Sequence, residues 1–327
     1  KGVILYQGGL GWKDREAQLP VTAHTLFAIG SCTKAFTGVV SSKLVEKGLL
    51  AWDVPVKKYL PELRLKDKYV EANMTLQDIH THMTGFGRHD AVWLKKAKMD
   101  RLELFQKMAT MKFEHSFRAQ PSYNNMMLLI AGMAQERVTN KTWDQLVQEH
   151  IFDPLGMQNS FSTYQGFMDY KEKSIGYKPD GYTRIPHRNI DIVAPAGAIS
   201  STPSDMAKWI QVFVNAGVYQ NEAYLSEAQF RYLTNPKVVK NPDFPDYWGI
   251  GWSVVYVEGK KILVHDGGID GQNAYILLRP EDGFGIVIMT NHRSLFKNMV
   301  AGYAEQIFVK GSFKRNYEQE LDWAKEK

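Results

Sequence analysis

Cysteine is nearly absent from this sequence, long apolar runs are missing, and positive charge is not concentrated in any one stretch. A single cysteine, Cys32, among 327 residues excludes an internal disulfide framework and any multi-cysteine zinc or iron–sulfur site. The richest apolar run, Met126–Ala134, is nine residues long, whereas a membrane helix needs about 18. The formal net charge of +5 is spread along the chain, unlike the basic patch of most nucleic-acid-binding proteins. We therefore expect a soluble, globular protein with no transmembrane segment and no nucleic-acid partner.

Several catalytic signatures are missing as well. The chain has no G-x-S-x-G, no G-x-x-x-x-G-K-[ST], no H-E-x-x-H and no complete G-x-G-x-x-G, which excludes an α/β-hydrolase elbow, a P-loop, a zincin and a Rossmann fingerprint. His80, His82 and His89 lie near one another in sequence, but no fourth ligand pattern accompanies them. Neither a metal nor a cofactor is expected.

The spacing of apolar residues predicts helices through the middle of the chain and strands in its last third. Three- and four-residue spacing predicts a helix over 33–47, and an N-cap with a first-turn proline predicts another over 202–215. A closing helix is expected over 294–308. Runs separated by glycine-containing turns predict an antiparallel meander of strands at Trp248–Val257, Lys261–His265, Asn273–Leu278 and Gly285–Thr290. Short strands are also expected at 1–7 and 10–12.

This pattern predicts an α+β fold, in which an antiparallel sheet flanked by helices carries an inserted, mostly helical lobe. Residues 1–75 and 195–312 would form one discontinuous sheet region, and the strands near both chain ends would pair in its sheet. Residues 76–194 would form the lobe, and residues 313–327 a C-terminal tail or linker. The site is expected in the cleft between the two parts.

The motif S-x-x-K occurs twice, at Ser31–Lys34 and at Ser294–Lys297. Residues three apart on a helix share a face, so the lysine ammonium can reach the serine hydroxyl. Ser31 follows Gly30 at the start of a buried helix, where backbone N–H groups can receive developing negative charge. Ser294 follows a polar turn and is predicted to be only a helix N-cap. Ser31 is therefore the candidate nucleophile.

Two further elements accompany the first motif, Tyr123-x-Asn125 and His265-x-Gly267. In this order the three elements resemble the class C β-lactamase and penicillin-binding-protein-like serine hydrolases. Stretches along nearly the whole chain resemble further landmarks of that family, and they are Leu26–Lys34, His82–Phe86, Ile151–Met157, Ala194–Gly197 and Gly249–Trp252. The stretch Leu321–Trp323 resembles a linker that precedes an extra C-terminal domain in some members.

The resemblance implies a role for each matching residue. Ser31 would be the nucleophile and Lys34 its proton-accepting, charge-stabilising partner, while Tyr123 would shuttle the proton with His265 beside it. Asn125 and Gly267 would help to hold the substrate. The backbone N–H groups of Ser31 and Gly268 would form the oxyanion hole.

The resemblance leaves the substrate open among carboxylic esters, D-amino-acid peptides and β-lactams, and a penicillin-binding sensor without turnover is a further alternative. β-Lactamases of this fold more often carry lysine at the position of His265. A histidine of ordinary pKa is only about one quarter protonated at pH 7, so it would be a weak carboxylate anchor. We therefore predict that short neutral esters are better substrates than cephalosporins. The resemblance also suggests a periplasmic or extracellular location if a preceding segment carries a signal.

Overall fold

The protein is described by a computed structural model that covers residues 2–94 and 99–311. Its main sheet is a six-stranded antiparallel meander with the spatial order β14-β13-β12-β11-β10-β9. The predicted α+β architecture is confirmed, while the predicted tail at 313–327 lies outside the described residues and the domain boundaries remain predictions. The strands are β1 Trp12–Asp14, β2 Leu19–Pro20, β3 Phe27–Ala28, β4 Gly176–Tyr177, β5 Arg184–Ile185, β6 Ser200–Ser201, β7 Val218–Tyr219, β8 Glu222–Ala223, β9 Val238–Asn241, β10 Asp246–Trp248, β11 Ser253–Val257, β12 Lys260–Ile269, β13 Gln272–Arg279 and β14 Phe284–Thr290.

The helix that follows Ser31 is almost wholly buried and lies at the centre of the molecule. Phe36 on this helix stacks on Trp209, with ring centroids 3.9 Å apart, and most of its other side chains are also buried. No helix in the described ranges is long and apolar enough to cross a membrane. The helices are α1 Thr33–Glu46, α2 Lys68–Asn73, α3 Leu76–His80, α4 Ala91–Leu94, α5 Arg101–Lys107, α6 Met126–Thr139, α7 Trp143–Val147, α8 Asp153–Leu155, α9 Tyr164–Asp169, α10 Ala194–Gly197, α11 Pro203–Val214, α12 Glu227–Thr234 and α13 Phe296–Glu305.

The strand predicted at 1–7 is wrong for the described residues 2–7, which form no strand. The apolar side chains of Val3, Leu5 and Tyr6 are exposed there, so a short apolar run was not enough without a partner strand. The first strand, β1, pairs only with β2 in a separate two-stranded sheet. The expectation that the N-terminal strands join the main sheet is therefore also wrong.

The single strand predicted over Trp248–Val257 is divided into β10 and β11. Between them Gly251 adopts a left-handed φ of 72°, and a Cβ at this residue would lie 2.5 Å from Cα of Ala35. The turn therefore brings its backbone directly onto α1, which only glycine permits. As a consequence Trp248 ends one strand instead of beginning another.

Three histidines are buried in the folded protein, namely His80, His82 and His265. Burial lowers the pKa of His80 and of His265 to about 3, and it lowers the pKa of His82 well below its ordinary value. In the unfolded chain each has a pKa near 6.5 and binds a proton below that pH. The unfolded state therefore gains stability relative to the folded state as the pH falls below about 6.5.

We expect His80→Gln to make the protein less sensitive to acid. Such a histidine is neutral in the folded state and binds a proton at pH 5.5 in the unfolded state. It therefore makes the free energy of unfolding about 1.4 kcal/mol lower at pH 5.5 than at pH 7.5. The variant should lose less stability than the wild type between these pH values, by about that amount. Urea denaturation of both proteins at each pH measures the difference, and identical losses would contradict the burial argument.

Candidate active site

Ser31 lies in a short 3-10 turn, Gly30–Cys32, immediately before α1. The turn packs against β12 at very close range. A Cβ at Gly30 would lie 2.6 Å from the backbone N of Gly268, and a Cβ at Gly267 would lie 2.0 Å from the carbonyl oxygen of Ile29. Gly30 and Gly267 therefore allow the turn that carries Ser31 and the strand to meet backbone to backbone. This contact brings the two predicted oxyanion-hole residues, Ser31 and Gly268, into the same corner of the site.

The Lys34 ammonium is buried one helical turn from Ser31 and has three acceptors. It donates to Ser31 Oγ at 3.2 Å, to Asn125 Oδ1 at 2.8 Å and to the carbonyl oxygen of Ala196 at 2.8 Å. The side chain is only about 2% exposed. Three acceptors match the three N–H donors of an ammonium group, so the charge is fixed beside the nucleophile.

The hydroxyl oxygen of Tyr123 lies 2.6 Å from Ser31 Oγ. The Tyr123 ring packs in a cluster with the rings of His82 and Trp248, at centroid distances of 4.6 and 6.3 Å. The Lys34 ammonium lies 4.7 Å from the centre of the same ring. The hydroxyl can therefore exchange a proton with Ser31 next to a fixed positive charge.

The amide of Asn125 is oriented by a carboxylate. Its Nδ2 donates to Asp90 Oδ1 at 3.1 Å, which leaves its Oδ1 to accept from Lys34. Asp90 also accepts from the indole of Trp93 at 3.1 Å and pairs with the exposed guanidinium of Arg88. The sequence predicted Asn125 as a substrate-holding residue, and the structure also makes it a partner of Lys34.

His265 lies in β12 with its side chain buried against Trp252, and the residue is 6% exposed. Its Nδ1 lies 3.0 Å from the carbonyl oxygen of Asp266, and its buried Nε2 has no partner among the described residues. Burial and the nearby Lys34 charge lower its pKa to about 3. The premise that this histidine is partly protonated at pH 7 is therefore wrong, because it assumed an exposed ring.

The second S-x-x-K motif does not form a comparable pair. Lys297 is buried and donates to Asp266 Oδ2 at 2.8 Å and to Asn298 Oδ1 at 3.0 Å, and the buried Ser294 Oγ has no partner among the described residues. Helix α13 begins after Leu295, with no side-chain cap. The predicted N-cap role of Ser294 is therefore wrong, and its substitution removes no hydrogen bond of the described structure.

Sequence reasoning missed two parts of this site, the Asp90 carboxylate and the Ala196 carbonyl. Ala196 lies in the Ala194–Gly197 stretch that resembles a family landmark, but the sequence did not indicate its role. The Lys34 acceptor there is a backbone carbonyl, which has no side-chain signature. Across the described ranges, no cluster of three or more histidine, cysteine, aspartate or glutamate residues is placed to hold a metal ion.

The sequence model of the Beta-lactamase family matches residues 1–307, and the chain belongs to that family. The unguisins hydrolase ungD' of Aspergillus campestris is 31% identical over 298 residues, which cover 84% of this chain and 54% of that protein. Protein flp of Staphylococcus aureus strain MW2 is 24% identical over 300 residues, covering 90% and 58%. The chain therefore spans about half the length of the curated relatives it matches.

Solved structures share the fold. The octameric penicillin-binding protein homologue from Pyrococcus abyssi superimposes with a TM-score of 0.82 at 23% identity, covering 95% of this chain and 72% of that one. The D-stereospecific amidohydrolase from Streptomyces sp. has a TM-score of 0.72 at 19% identity, covering 88% of each chain. Together with the family match, these likenesses show the fold shared by β-lactamases and penicillin-binding proteins.

We expect Tyr123→Phe to slow covalent modification of Ser31 by a fluorophosphonate by a factor of ~10²–10⁴, the usual loss when acid–base catalysis is removed. The ring contacts with His82 and Trp248 do not involve the hydroxyl, so the melting temperature should change little. Time-resolved intact mass spectrometry measures the rate. A nearly normal rate would transfer the base role to Lys34.

Proposed function

We propose that the chain is a serine hydrolase that forms an acyl-enzyme on Ser31 and acts best on carboxylic esters. The observation that carries this proposal is the position of Ser31 Oγ, within hydrogen-bond distance of both Tyr123 Oη and Lys34 Nζ. A serine hydroxyl is a weak nucleophile until a neighbouring base takes its proton. This arrangement offers such a base together with a fixed cation.

In the proposed reaction Tyr123 acts as a phenolate, whose charge the Lys34 ammonium balances. Ser31 Oγ attacks the ester carbonyl carbon while its proton moves to the Tyr123 phenolate oxygen. The carbonyl oxygen becomes an oxyanion, which the backbone N–H groups of Ser31 and Gly268 would bind. Collapse of the tetrahedral intermediate breaks the bond to the leaving alcohol, and Tyr123 returns the proton to that oxygen. Water then attacks the acyl-enzyme while Tyr123 takes a proton from it. Ser31 Oγ leaves and regains that proton from Tyr123, and the acid is released. Lys34 stabilises the negative charge that develops on the reacting oxygens.

The cations around the catalytic tyrosine support a neutral substrate, because each of them has its partners within the protein. Lys34 is bound to three acceptors, Arg88 pairs with Asp90, and Lys240, which lies over the Trp248 ring, pairs with Asp246 at 2.8 Å. His265 is neutral at physiological pH. A substrate carboxylate that bound Lys34 would have to displace one of its three acceptors.

Amide hydrolysis is the second candidate. The name of one structural neighbour supports it, since that protein is a D-stereospecific amidohydrolase. On this alternative the leaving group is an amine, as in a D-peptidase or a β-lactamase, and Tyr123 protonates nitrogen. A penicillin-binding sensor, the third alternative, would show a burst of acylation with no turnover.

The nucleophile can be tested with a matched pair of variants. Ser31→Ala should abolish both turnover of an aryl ester and the mass increase caused by a fluorophosphonate, because no other described serine has the Lys34 and Tyr123 partners. Ser294→Ala, in the other S-x-x-K motif, should keep the wild-type rate and adduct. An aryl-ester assay measures the rate of each variant, and intact mass spectrometry with peptide mapping locates the adduct. An adduct on a peptide without Ser31, or loss of activity in Ser294→Ala, would contradict the assignment.

The charge preference can be tested with two esters of the same shape, one carrying a sulfonate on its acyl chain and the other a neutral methyl sulfone. We expect kcat/KM to favour the neutral ester, and the ratio of the two values to stay constant from pH 8 to pH 5.5, because the pKa of His265 lies far below this range. The sulfonate does not titrate, and changes at Ser31 affect both esters alike. A ratio that shifts towards the anionic ester below pH 6.5 would show that His265 binds substrate charge.

A further inference from the structure

Tyr123 lies in a stretch with little regular secondary structure. Between Met111 and the start of α6 at Met126 the chain forms turns and loops, with one isolated bridge from Phe113 to Phe86. Yet the proposed reaction requires the Tyr123 hydroxyl to stay at 2.6 Å from Ser31 Oγ. Some contact outside a helix or sheet must therefore hold this loop in place.

The loop is attached to α3 through Arg118. The guanidinium donates from Nε to Asp78 Oδ1 at 2.7 Å and from Nη2 to Asp78 Oδ2 at 2.8 Å, which is the two-point geometry that arginine forms with carboxylates. Its backbone N–H also donates to the carbonyl oxygen of Met83 at 2.9 Å. The Asp78 bonds raise the pKa of Arg118. Both ends of this residue are thus bound to α3 and the turn that follows it.

Asp78 is itself a fixed point. The residue is buried, and its Oδ2 accepts from both the backbone N–H and the hydroxyl of Thr75, at 2.9 and 2.7 Å. These bonds cap the first turn of α3. The Asp78 carboxylate therefore has little freedom to follow Arg118 if the loop moves. The ion pair thus holds the loop in place relative to α3.

The same turn after α3 contacts the chain on both sides of Tyr123. The carbonyl oxygen of His82 accepts from the backbone N–H of Ser122 at 2.8 Å, and His82 Nδ1 accepts from the backbone N–H of Asn124 at 3.3 Å. The His82 ring also lies against the Tyr123 ring. A shift of the loop relative to α3 would therefore displace the catalytic hydroxyl.

The backbone at Arg118 supports a specific role for its side chain. Its φ is 60°, a left-handed conformation that favours glycine over residues with a Cβ. An arginine at this position accepts that conformation while it supplies the two bonds to Asp78. Glycine would fit the backbone and would lack only the side chain, which makes Arg118→Gly a clean substitution.

We infer that Arg118 is a positioning residue, which places the Tyr123 hydroxyl by anchoring its loop to Asp78 on α3. This inference rests on the proposed function, because it concerns the base of that reaction. Arg118 does not act on the substrate itself. Its effect should appear in the chemical step, since a displaced catalytic group slows the reaction more than it weakens binding.

Arg118→Gly should lower kcat on a neutral aryl ester by about tenfold or more while KM changes less than twofold. The pair borders a cavity of about 480 Å³, also lined by Thr75 and Met83, and the Arg118 side chain is 51% exposed, so a small cation can enter. Guanidinium chloride at tens of millimolar should restore part of the rate, and urea at the same concentration should not. Arg184→Gln, which breaks an exposed ion pair elsewhere, should show neither loss nor rescue.

A double-variant comparison tests whether Arg118 acts through Tyr123. Adding Arg118→Gly to Tyr123→Phe should cause little further loss, because the group that it positions is already gone. Additive losses, an unchanged kcat in Arg118→Gly, or a loss without guanidinium rescue would overturn the inference. Hydrogen exchange of peptides covering residues 119–125 needs no turnover, and it should be faster in Arg118→Gly and slowed again by guanidinium. If the wild type proves inactive, the proposed function fails, while the exchange data still decide whether Arg118 holds the loop.

Discussion

The burial of the Lys34 ammonium is the constraint on which the rest of this site depends. A cation removed from water is stable only when its hydrogen-bond donors find acceptors. Here the acceptors come from three separate segments, namely Ser31 before α1, Asn125 before α6, and Ala196 in α10. If any one of them moved away, a buried donor would lose its partner, so the charge holds the three segments in one geometry.

Close backbone contacts hold the strands against this charged centre. The glycines at 30, 251 and 267 lie where a Cβ would come within 3.0 Å of backbone atoms of a neighbouring segment. Two of these contacts bring β12 against the turn that carries Ser31, and the third brings the turn before β11 against α1. Ser31 and Gly268, the proposed nucleophile and oxyanion-hole residues, thus belong to one close-packed backbone arrangement.

Local patterns in the sequence were enough to predict α1, α11, the meander of strands and the pairing of Ser31 with Lys34, because each depends on periodicity or on spacing within one turn. Features that depend on distant segments were not predictable in this way. The break after Trp248 follows from contact with α1, the low pKa of His265 follows from its burial, and the Ala196 acceptor is a backbone atom. The same limit explains the strand wrongly predicted at 1–7, where a short apolar run has no partner strand among the described residues.

The distribution of charge in the site bears on what the enzyme would stabilise. Arg88 and Lys240 pair with carboxylates, whereas the three acceptors of Lys34 are neutral, so the Lys34 charge remains uncompensated in the site. When the Ser31 proton moves to the Tyr123 phenolate, negative charge would move onto the reacting oxygens beside Lys34. Only interactions that are stronger in the transition state than in the ground state raise the rate of the chemical step. A neutral substrate therefore lets this fixed cation act where it accelerates the reaction.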